Sequence, residues 1–536
     1  MQTSTRLLTL AITAALAVPF SASAGRLDQN PAASRAQSLI KASPAGIKRN
    51  AGDGFLVTDV IIDANGTEHV RFDRTYRGLP VLGGDVVVHS RNGQFKSASL
   101  TLKTTGRPSI KPTVSADQAI IEAGTRFGTG FTGAPTSRLV IFARNVTPTL
   151  AHEVVFAGIK ADQTPTDMHY IVDANSARIL DKWDTIETGK PGGGGTACTG
   201  TSAAGTGNTL YSGSIVLNTT NCSTSFQMKD LSRGGGYTTD LGNGTRGTGT
   251  IFSDADNTWG NGSNADRATA AADAHFGIAA TWDYFKNIHG RNGIDGNGTG
   301  ALSKVHYGRN YVNAFWSDGC YCMTFGDGDG VTYGPLVNLD VAGHEMSHGV
   351  MSRTAKLTYS GESGGLNEAN SDIFGTMVEF NVNSPSDKPD YLIGEELYLS
   401  NPGLTKAFRY MYNPELEGGG TRSKNCWSNT LGSLDVHYSS GPANHFFYLL
   451  AEGSGARTFA NGTITSPTCN GSSITGIGRS AAEKIWYKAI TAYMTSSTNY
   501  AGARVATLNA AVSLGYAVGS TNYNAVAAAW SAVNVN

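Results

Sequence analysis

The stretch His344-Glu345-Met346-Ser347-His348 puts two imidazoles and a carboxylate within five residues. On an α-helix, positions i and i+4 share one face about a turn apart. His344 and His348 could therefore present both rings to one metal ion. Glu345 is offset by one position, so it would flank the metal, where a general base for water belongs. An ordinary helical pair of histidines is the plain alternative. Two ligands also fall short, because a catalytic zinc site needs three protein ligands and an open position.

A third ligand is available in SGGLNEANSDIFGTMVEF, the next helix-like run. Glu368 lies twenty positions after His348, and Asp372 lies one helical turn after Glu368 on the same face. Glu368 can complete the zinc set. Asp372 can accept the outer N–H of a ligand histidine and fix its tautomer. The runs around Ile373 and Met377 bury this helix, which argues against a merely solvated acidic face, and buried acids need partners.

These helices sit in a chain of 536 residues, too long for one hydrophobic core, so two or three domains are expected. Net charge is −1, with 41 basic and 42 acidic residues. No basic stripe points to nucleic acid and no acidic tail to a solvating region. The N-terminus has one early cation, Arg6, then an apolar run, then Ala22-Ser23-Ala24. That order predicts a secretory signal peptide over residues 1–24 and an exported, extracellular protein. A membrane anchor is the rival, but the apolar run is short for a span. All six cysteines lie between Cys198 and Cys469. An even count in an exported chain reads as disulfides. Proximity suggests Cys198–Cys222, Cys320–Cys322 and Cys426–Cys469. The middle pair would close a tight ring, and two free thiols are its alternative.

The cysteine-free segment alternates apolar and polar residues from Gly54 to about Leu102, with hairpin turns at Asn65-Gly66 and Asn92-Gly93. A helix follows in SADQAIIEAGTRFG. Further strands come in HEVVFAGI and MHYIVDANSARILDKWD. This reads as an independent α+β unit. Pro191 and the four glycines after it cannot build a packed element. They predict an exposed, protease-accessible linker and a domain boundary near residue 195.

Taken together, HEMSH, GGLNEANSD, NAFW, FGDGDG, IGEE and DVHYSSGPANHFFYLL resemble the thermolysin family of secreted metalloproteases over roughly residues 198–536. HVRFDRTYRGLPVLGGDVVVH resembles the family's propeptides. The resemblance implies an α+β precursor. Its parts would be a propeptide over 25–195 (fungalysin/thermolysin-type and PepSY-like parts), a β-rich lobe over 196–340 and a mainly helical lobe over 341–536, with no added C-terminal binding module. The zinc helix would lie between the lobes.

Roles then carry over to matching positions. His344, His348 and Glu368 match the zinc ligands, and Glu345 matches the residue that activates water and passes its proton to the leaving amine. His437 and Tyr359 match donors to the transition-state oxyanion. Asp435, two before His437, would share its side in an extended stretch and hold that ring protonated and oriented. Asn313 and Ala314 match residues that hold the substrate backbone, and Arg409 one that binds the carbonyl after the cut. Val341, Ile393 and Phe408 would line an apolar pocket, implying cleavage before large hydrophobic residues. Asp340, Glu379, Asp390 and Glu395, with the Leu392 carbonyl, match the family's main calcium site, since clustered carboxylates need a cation or protons. Asp254 and Asp256 match an outer calcium site. Lys406 stands where another outer site wants an acid. The Gly-Asp repeat at 326–330 reads as a turn.

The implied function is an autoprocessed zymogen of a zinc endopeptidase with structural calcium. Its partners would be protein and peptide substrates and its own propeptide, acting as chaperone and inhibitor. A monomer is expected, with no membrane after export. The rivals are an inactive binding protein on the same fold, an aminopeptidase-type zincin and a structural zinc protein. The first would have lost Glu345 or a ligand, the second needs a group to hold a free amine, and the third gives Glu345 and His437 no purpose.

Overall fold

The computed structural model describes residues 27, 29–185, 197–400 and 406–536. The expected signal peptide and residues 186–196 of the expected linker lie outside the described residues. Among the described residues, no helix is long and apolar enough to cross a membrane.

The upstream unit opens with helix α1 (Pro31–Ala42), capped by the Asn30 side chain on the Ala32 amide. Strands β1 (Asp53–Ile62), β2 (Thr67–Tyr76), β3 (Leu79–Leu82), β4 (Val86–Arg91) and β5 (Gln94–Ser99) follow. Helix α2 (Ala116–Gly124) starts at a Ser115/Gln118 capping box, where side chain and backbone satisfy each other. Strands β6 (Thr136–Phe142), β7 (Thr149–Ile159), β8 (Pro165–Asp173) and β9 (Ile179–Asp184) complete it. One sheet runs β5-β4-β2-β3-β6-β7-β8-β9, with β1 also on β2. The expected hairpins are present. At Asn92-Gly93 both residues have positive φ, 52° and 72°, as a type I′ turn requires. The alternation read from the sequence is that of a sheet with one face packed under α1 and α2.

Beyond the linker, a sheet-rich lobe starts with the hairpin β10 (Thr201–Asn208) and β11 (Ser214–Asn221). A second sheet holds β12 (Gly236–Asp240), β13 (Leu302–Tyr307), β14 (Ala314–Ser317) and β15 (Cys322–Gly326). Strands β12, β13 and β15 pair in parallel, and β14 pairs antiparallel with β15 and ends the order. The long helix α3 (Arg267–His289) is packed with alanines between this lobe and the next. The helical lobe contains α4 (Leu339–Ser352), α5 (Gly361–Val382), the single turn α6 (Val436–Ser439), α7 (Gly441–Ala451), α8 (Arg479–Lys488), α9 (Tyr500–Ser513) and α10 (Thr521–Ala532). Phe446 of α7 stacks on Trp530 of α10 with ring centroids 3.7 Å apart. The bridges are Cys198–Cys222, Cys320–Cys322 and Cys426–Cys469, so the middle pair is joined rather than free.

The upstream unit docks on the helical lobe through one face of β2 and the loop before β4. Arg71 Nη2 donates to the carbonyl oxygens of Ile490 and Thr491 at 3.4 and 3.1 Å. Asp85 accepts the Ser496 amide at 2.9 Å and its hydroxyl at 2.5 Å. Lys356 reaches Asp73 at 3.3 Å, and Lys488 pairs with Asp63. Far along the chain, the Gln163 side chain pairs with the Arg309 backbone through bonds of 2.8 and 2.9 Å.

Helices α4 and α5 cross closely because each is glycine at the contact. A Cβ on Gly343 would sit 2.9 Å from the Gly375 Cα, and one on Gly375 would sit 2.4 Å from the Asp340 carbonyl oxygen. Both clashes are with backbone, which cannot swing away. Gly375→Ala is expected to force the helices apart and cost about 1–3 kcal/mol. A chemical-denaturation midpoint equal to the unsubstituted chain's would contradict this.

Candidate active site

The close crossing sets the two sequence motifs against each other. His344 and His348 lie one turn apart on α4, with their Nε2 atoms 3.1 Å apart and converging. Each ring is held from behind. His344 Nδ1 lies 2.8 Å from Asp372 Oδ1 and His348 Nδ1 lies 2.9 Å from Asn367 Oδ1, both acceptors on α5. With Nδ1–H donated to those oxygens, each Nε2 lone pair faces its neighbour. Glu368 completes the group, its carboxylate oxygens 3.6 Å from His344 Nε2 and 3.4 Å from His348 Nε2. The ligand atoms of these three buried residues lie within 4.8 Å of one another. Among the described residues Glu368 Oε2 has no hydrogen-bond partner although it is buried. Two lone pairs and an orphaned carboxylate oxygen converging on one point fit a divalent cation of borderline softness, for which N and O donors in this number suit zinc.

Asp372 is a hub. Besides His344, it accepts Arg409 Nε at 2.7 Å, Arg409 Nη2 at 2.6 Å and Asn444 Nδ2 at 2.8 Å. Burial would raise its pKa, but Arg409 and His344 outweigh that and bring it down. Glu345 is buried in the same cavity. Burial raises its pKa, only partly opposed by His344 and His348, which makes it a stronger proton acceptor than a solvated carboxylate.

His437 enters from the other side. The sequence predicts an extended stretch at Asp435–His437, and the structure corrects this. Asp435 is the N-cap of α6, and its Oδ1 accepts both the His437 amide at 3.0 Å and, at 2.7 Å, the ring Nδ1. A cap aspartate must face the first turn's amides, so the same oxygen that starts the helix also orients the ring. Burial would lower the His437 pKa, but Glu368 and Asp435 outweigh it and raise it. Its Nε2 lies 3.7 Å from Glu368 Oε1 and 3.4 Å from the Tyr359 hydroxyl, which itself donates to Glu368 Oε1.

One cavity of about 90 Å³ joins these groups to the expected substrate contacts. Asn313, Ala314, Val341, Ile393, Phe408 and Arg409 line it together with His344, Glu345, His348, Tyr359, Glu368 and His437. Ala314 opens strand β14, which ends the sheet order among the described residues, so an extended chain can pair along its outer edge.

A second acidic cluster lies at the other end of the same helix pair. Glu379, Asp387 and Glu395 have carboxylate oxygens within 4.8 Å of one another. Glu379 Oε1 and Oε2, Asp387 Oδ1 and Glu395 Oε2 are buried without hydrogen-bond partners among the described residues. Burial and mutual repulsion push all three well above the usual carboxylate range, a strain that a cation relieves. Asp340 and Asp390 stand beside them, pushed up chiefly by burial to about 8 and about 6. Their oxygens already accept hydrogen bonds, Asp340 Oδ2 from the Gly394 amide at 2.6 Å and Asp390 Oδ1 from the Leu392 amide at 2.7 Å. Asp387 is absent from the sequence expectation. Its place between Pro385 and Pro389 looks like a loop, and only the chain reversal after α5 brings it inward. Asp254 Oδ1 accepts the amides of Asp256 and Asn257, and Asp256 Oδ1 that of Thr258, so these two acids hold their own turn. The repeat at 326–330 is a turn as expected, with Asp329 Oδ1 accepting three amides, those of Val331, Thr332 and Tyr333.

A metal-binding triad with a buried carboxylate beside it, at the floor of a cleft between a sheet-rich and a helical lobe, defines a metallopeptidase. Comparison with known proteins places it further. The family description "Thermolysin metallopeptidase, catalytic domain" matches residues 204–352, and "Thermolysin metallopeptidase, alpha-helical domain" matches 355–535. "Fungalysin/Thermolysin Propeptide Motif" matches 53–102. The transglutaminase-activating metalloprotease of Streptomyces mobaraensis is 48% identical over 504 residues, which cover 92% of this chain and 63% of that relative. Thermolysin of Alicyclobacillus acidocaldarius subsp. acidocaldarius is 37% identical over 488 residues, 88% of this chain and 84% of the relative. Among solved structures, the precursor of protealysin from Serratia proteamaculans is 29% identical, covering 56% of this chain and 87% of that one with a TM-score of 0.44. The chain belongs to the thermolysin family of metallopeptidases.

Proposed function

We propose that the chain is the autoprocessed zymogen of a secreted, monomeric zinc endopeptidase that cuts before large hydrophobic residues. The observation that carries this reading is the convergence of His344, His348 and Glu368 beside the buried Glu345 in one cavity. Zinc bound by the triad would supply a Lewis acid for the peptide carbonyl and acidify water. Glu345 takes the proton of the attacking water and returns it to the leaving nitrogen. His437, held by Asp435, and Tyr359 donate to the oxygen on which charge develops. Asn313 and Ala314 hold the substrate chain along the β14 edge, and Arg409, braced by Asp372, binds the carbonyl after the cut. Val341, Ile393 and Phe408 give the apolar wall that a large hydrophobic side chain would bury.

The remaining assignments follow the same logic. Residues 1–24 are the export signal and 25–195 the propeptide, which folds on the helical lobe and keeps the enzyme latent until the linker is cut. Calcium would be held by the Glu379, Asp387 and Glu395 cluster, helped by Asp340, Asp390 and the Leu392 carbonyl, and an outer calcium would be held by Asp254 and Asp256. The name of the Streptomyces relative supplies one protein substrate worth assaying, a transglutaminase.

Two measurements check the reading. Glu345→Ala should fold, bind zinc, lose its signal peptide and accumulate as a single precursor band in a host free of other secreted proteases, inert on casein. The unsubstituted chain should mature and digest casein, lose that activity in 1,10-phenanthroline and regain it with zinc. Normal processing of Glu345→Ala would point to a separate activating protease, and activity that survives verified zinc removal would sink the mechanism. The calcium assignment predicts a melting temperature roughly 5 °C or more higher at calcium about 100-fold above its Kd than in a calcium-selective chelator. Equal melting in both would remove calcium from the cluster.

A further inference from the structure

Asn444 is buried on α7, and its two polar atoms are unequally used. Nδ2 donates to Asp372 Oδ2 at 2.8 Å, while Oδ1 has no partner among the described residues. A residue kept only for packing would be cheaper as leucine, which fills similar space and leaves no orphaned acceptor. Its use is therefore the donated bond. That bond supplies the fourth hydrogen to Asp372, whose others come from His344 and twice from Arg409. It also ties α7 to α5, and α7 continues directly from the turn that carries His437. We infer that Asn444 is a positioning residue that fixes the Asp372 carboxylate, and through it the His344 ring, the Arg409 guanidinium and the spacing of His437 from the metal ligands. The inference rests on the zinc-peptidase reading. Asn444→Leu should fold with unchanged or higher melting temperature, yet bind zinc about tenfold more weakly in chelator competition and show a raised KM as Arg409 loosens. Asn444→Asp, which sets a carboxylate against Asp372, should bind zinc more weakly still. Binding is measured on full-length chains that also carry Glu345→Ala, and KM on processed enzyme. A zinc affinity and KM within twofold of the parent for both variants would overturn the inference. Failure of the parent itself to bind zinc or cut casein would instead overturn the function on which it rests.

A separate observation lies at the docking face of the propeptide. His69 on β2 and His89 on β4 meet Nδ1 to Nδ1 at 2.8 Å, with both rings against Tyr493 of the helical lobe at centroid distances of 5.2 and 4.8 Å. His69 Nε2 lies 3.0 Å from Asp63 Oδ2, and His89 Nε2 lies 2.8 Å from Ser99 Oγ. Asp63 can only accept, so His69 carries its proton on Nε2 and offers a bare Nδ1. His89 then donates from Nδ1 and accepts from Ser99. This arrangement holds one proton between the facing nitrogens. A second proton on His69 sets two N–H groups head to head unless His89 moves its own proton to Nε2 and the Ser99 hydroxyl turns from donor to acceptor, so the whole chain of bonds must reverse. A second proton on His89 puts a buried cation beside Arg71 and Lys488, with Asp63 the shared counter-charge and Asp85 already facing Arg71. We propose that this pair is an acid-sensitive latch, closed while both rings are neutral, that loosens the propeptide from the helical lobe as either ring charges. Burial lowers the pKa of both rings below the ordinary 6.5, that of His89 well below. Docking therefore weakens as pH falls through the ordinary imidazole range, by up to about tenfold per unit for each proton taken up, in proportion to the burial that the helical lobe supplies. Hydrogen exchange of the Ile490–Thr498 amides in full-length Glu345→Ala, corrected for intrinsic rates, should lose about tenfold protection between pH 6.5 and 5.5. The H69Q/H89Q variant should show no such slope. Imidazole nitrogen NMR of the docked parent at pH 6 should find the His89 ring neutral, a readout that survives a variant that misfolds. A flat parent profile, an equal slope in the variant or a charged His89 in the docked protein would each overturn the latch.

Discussion

Everything at the candidate site depends on two helices crossing glycine to glycine. With Gly343 and Gly375 at the contact, the backbones of α4 and α5 come close enough for side chains on one to hydrogen-bond side chains on the other. The helices run antiparallel, so the pairing is serial. His348 meets Asn367, His344 meets Asp372, and Asp340 lies near Glu379. The metal triad and the acidic cluster are two levels of one crossing, and a shift at the glycines moves both.

That crossing would be unstable if its charges were left uncompensated. Burial penalises the ionised form of every acid along it, and the chain answers in two ways. At the triad end, cationic and donor groups surround the carboxylates, so Asp372 and Glu368 stay ionised, below their ordinary range. At the other end, Glu379, Asp387 and Glu395 have acids for neighbours and oxygens without partners, and are pushed up. In the first arrangement hydrogen-bond donors and cations hold the carboxylates ionised, and what is left uncompensated is the point where the two Nε2 lone pairs and the orphaned Glu368 oxygen converge. The second is incomplete without a cation, which is why we assign it a structural role.

The upstream unit uses the same economy. Its β2 face places His69, Arg71 and Asp73 at alternate positions, as a strand must. Arg71 donates to carbonyl oxygens at the end of a helical segment, which have no intrahelical partner, and Asp85 accepts from an amide and a hydroxyl of Ser496, a short way further along the chain. An interface made by charges meeting a partner's unpaired backbone groups, and not by apolar surface, joins groups that can return to water if it opens.

Much of this was legible in the sequence because it is periodic. The i and i+4 spacing of His344 and His348, the turn between Glu368 and Asp372, the alternation in β1 and β2 and the glycines of the hairpin turns all state their geometry locally. Disulfide pairing by proximity held for the same reason, since each bridge closes a local loop. What the tertiary structure alone decided were the meetings between segments. Asp387 reads as a loop aspartate until the chain turns back on α5. Asn444 reads as a polar residue in a largely apolar helix until α7 lands on Asp372. Asp435 and His437 look extended until the aspartate caps a helical turn. His69 and His89 look like ordinary strand residues until β2 and β4 pair in register. Spacing along a chain fixes which side chains share a face. Which faces meet depends on how whole elements pack, and that is set by burial summed over many residues and not by any single stretch.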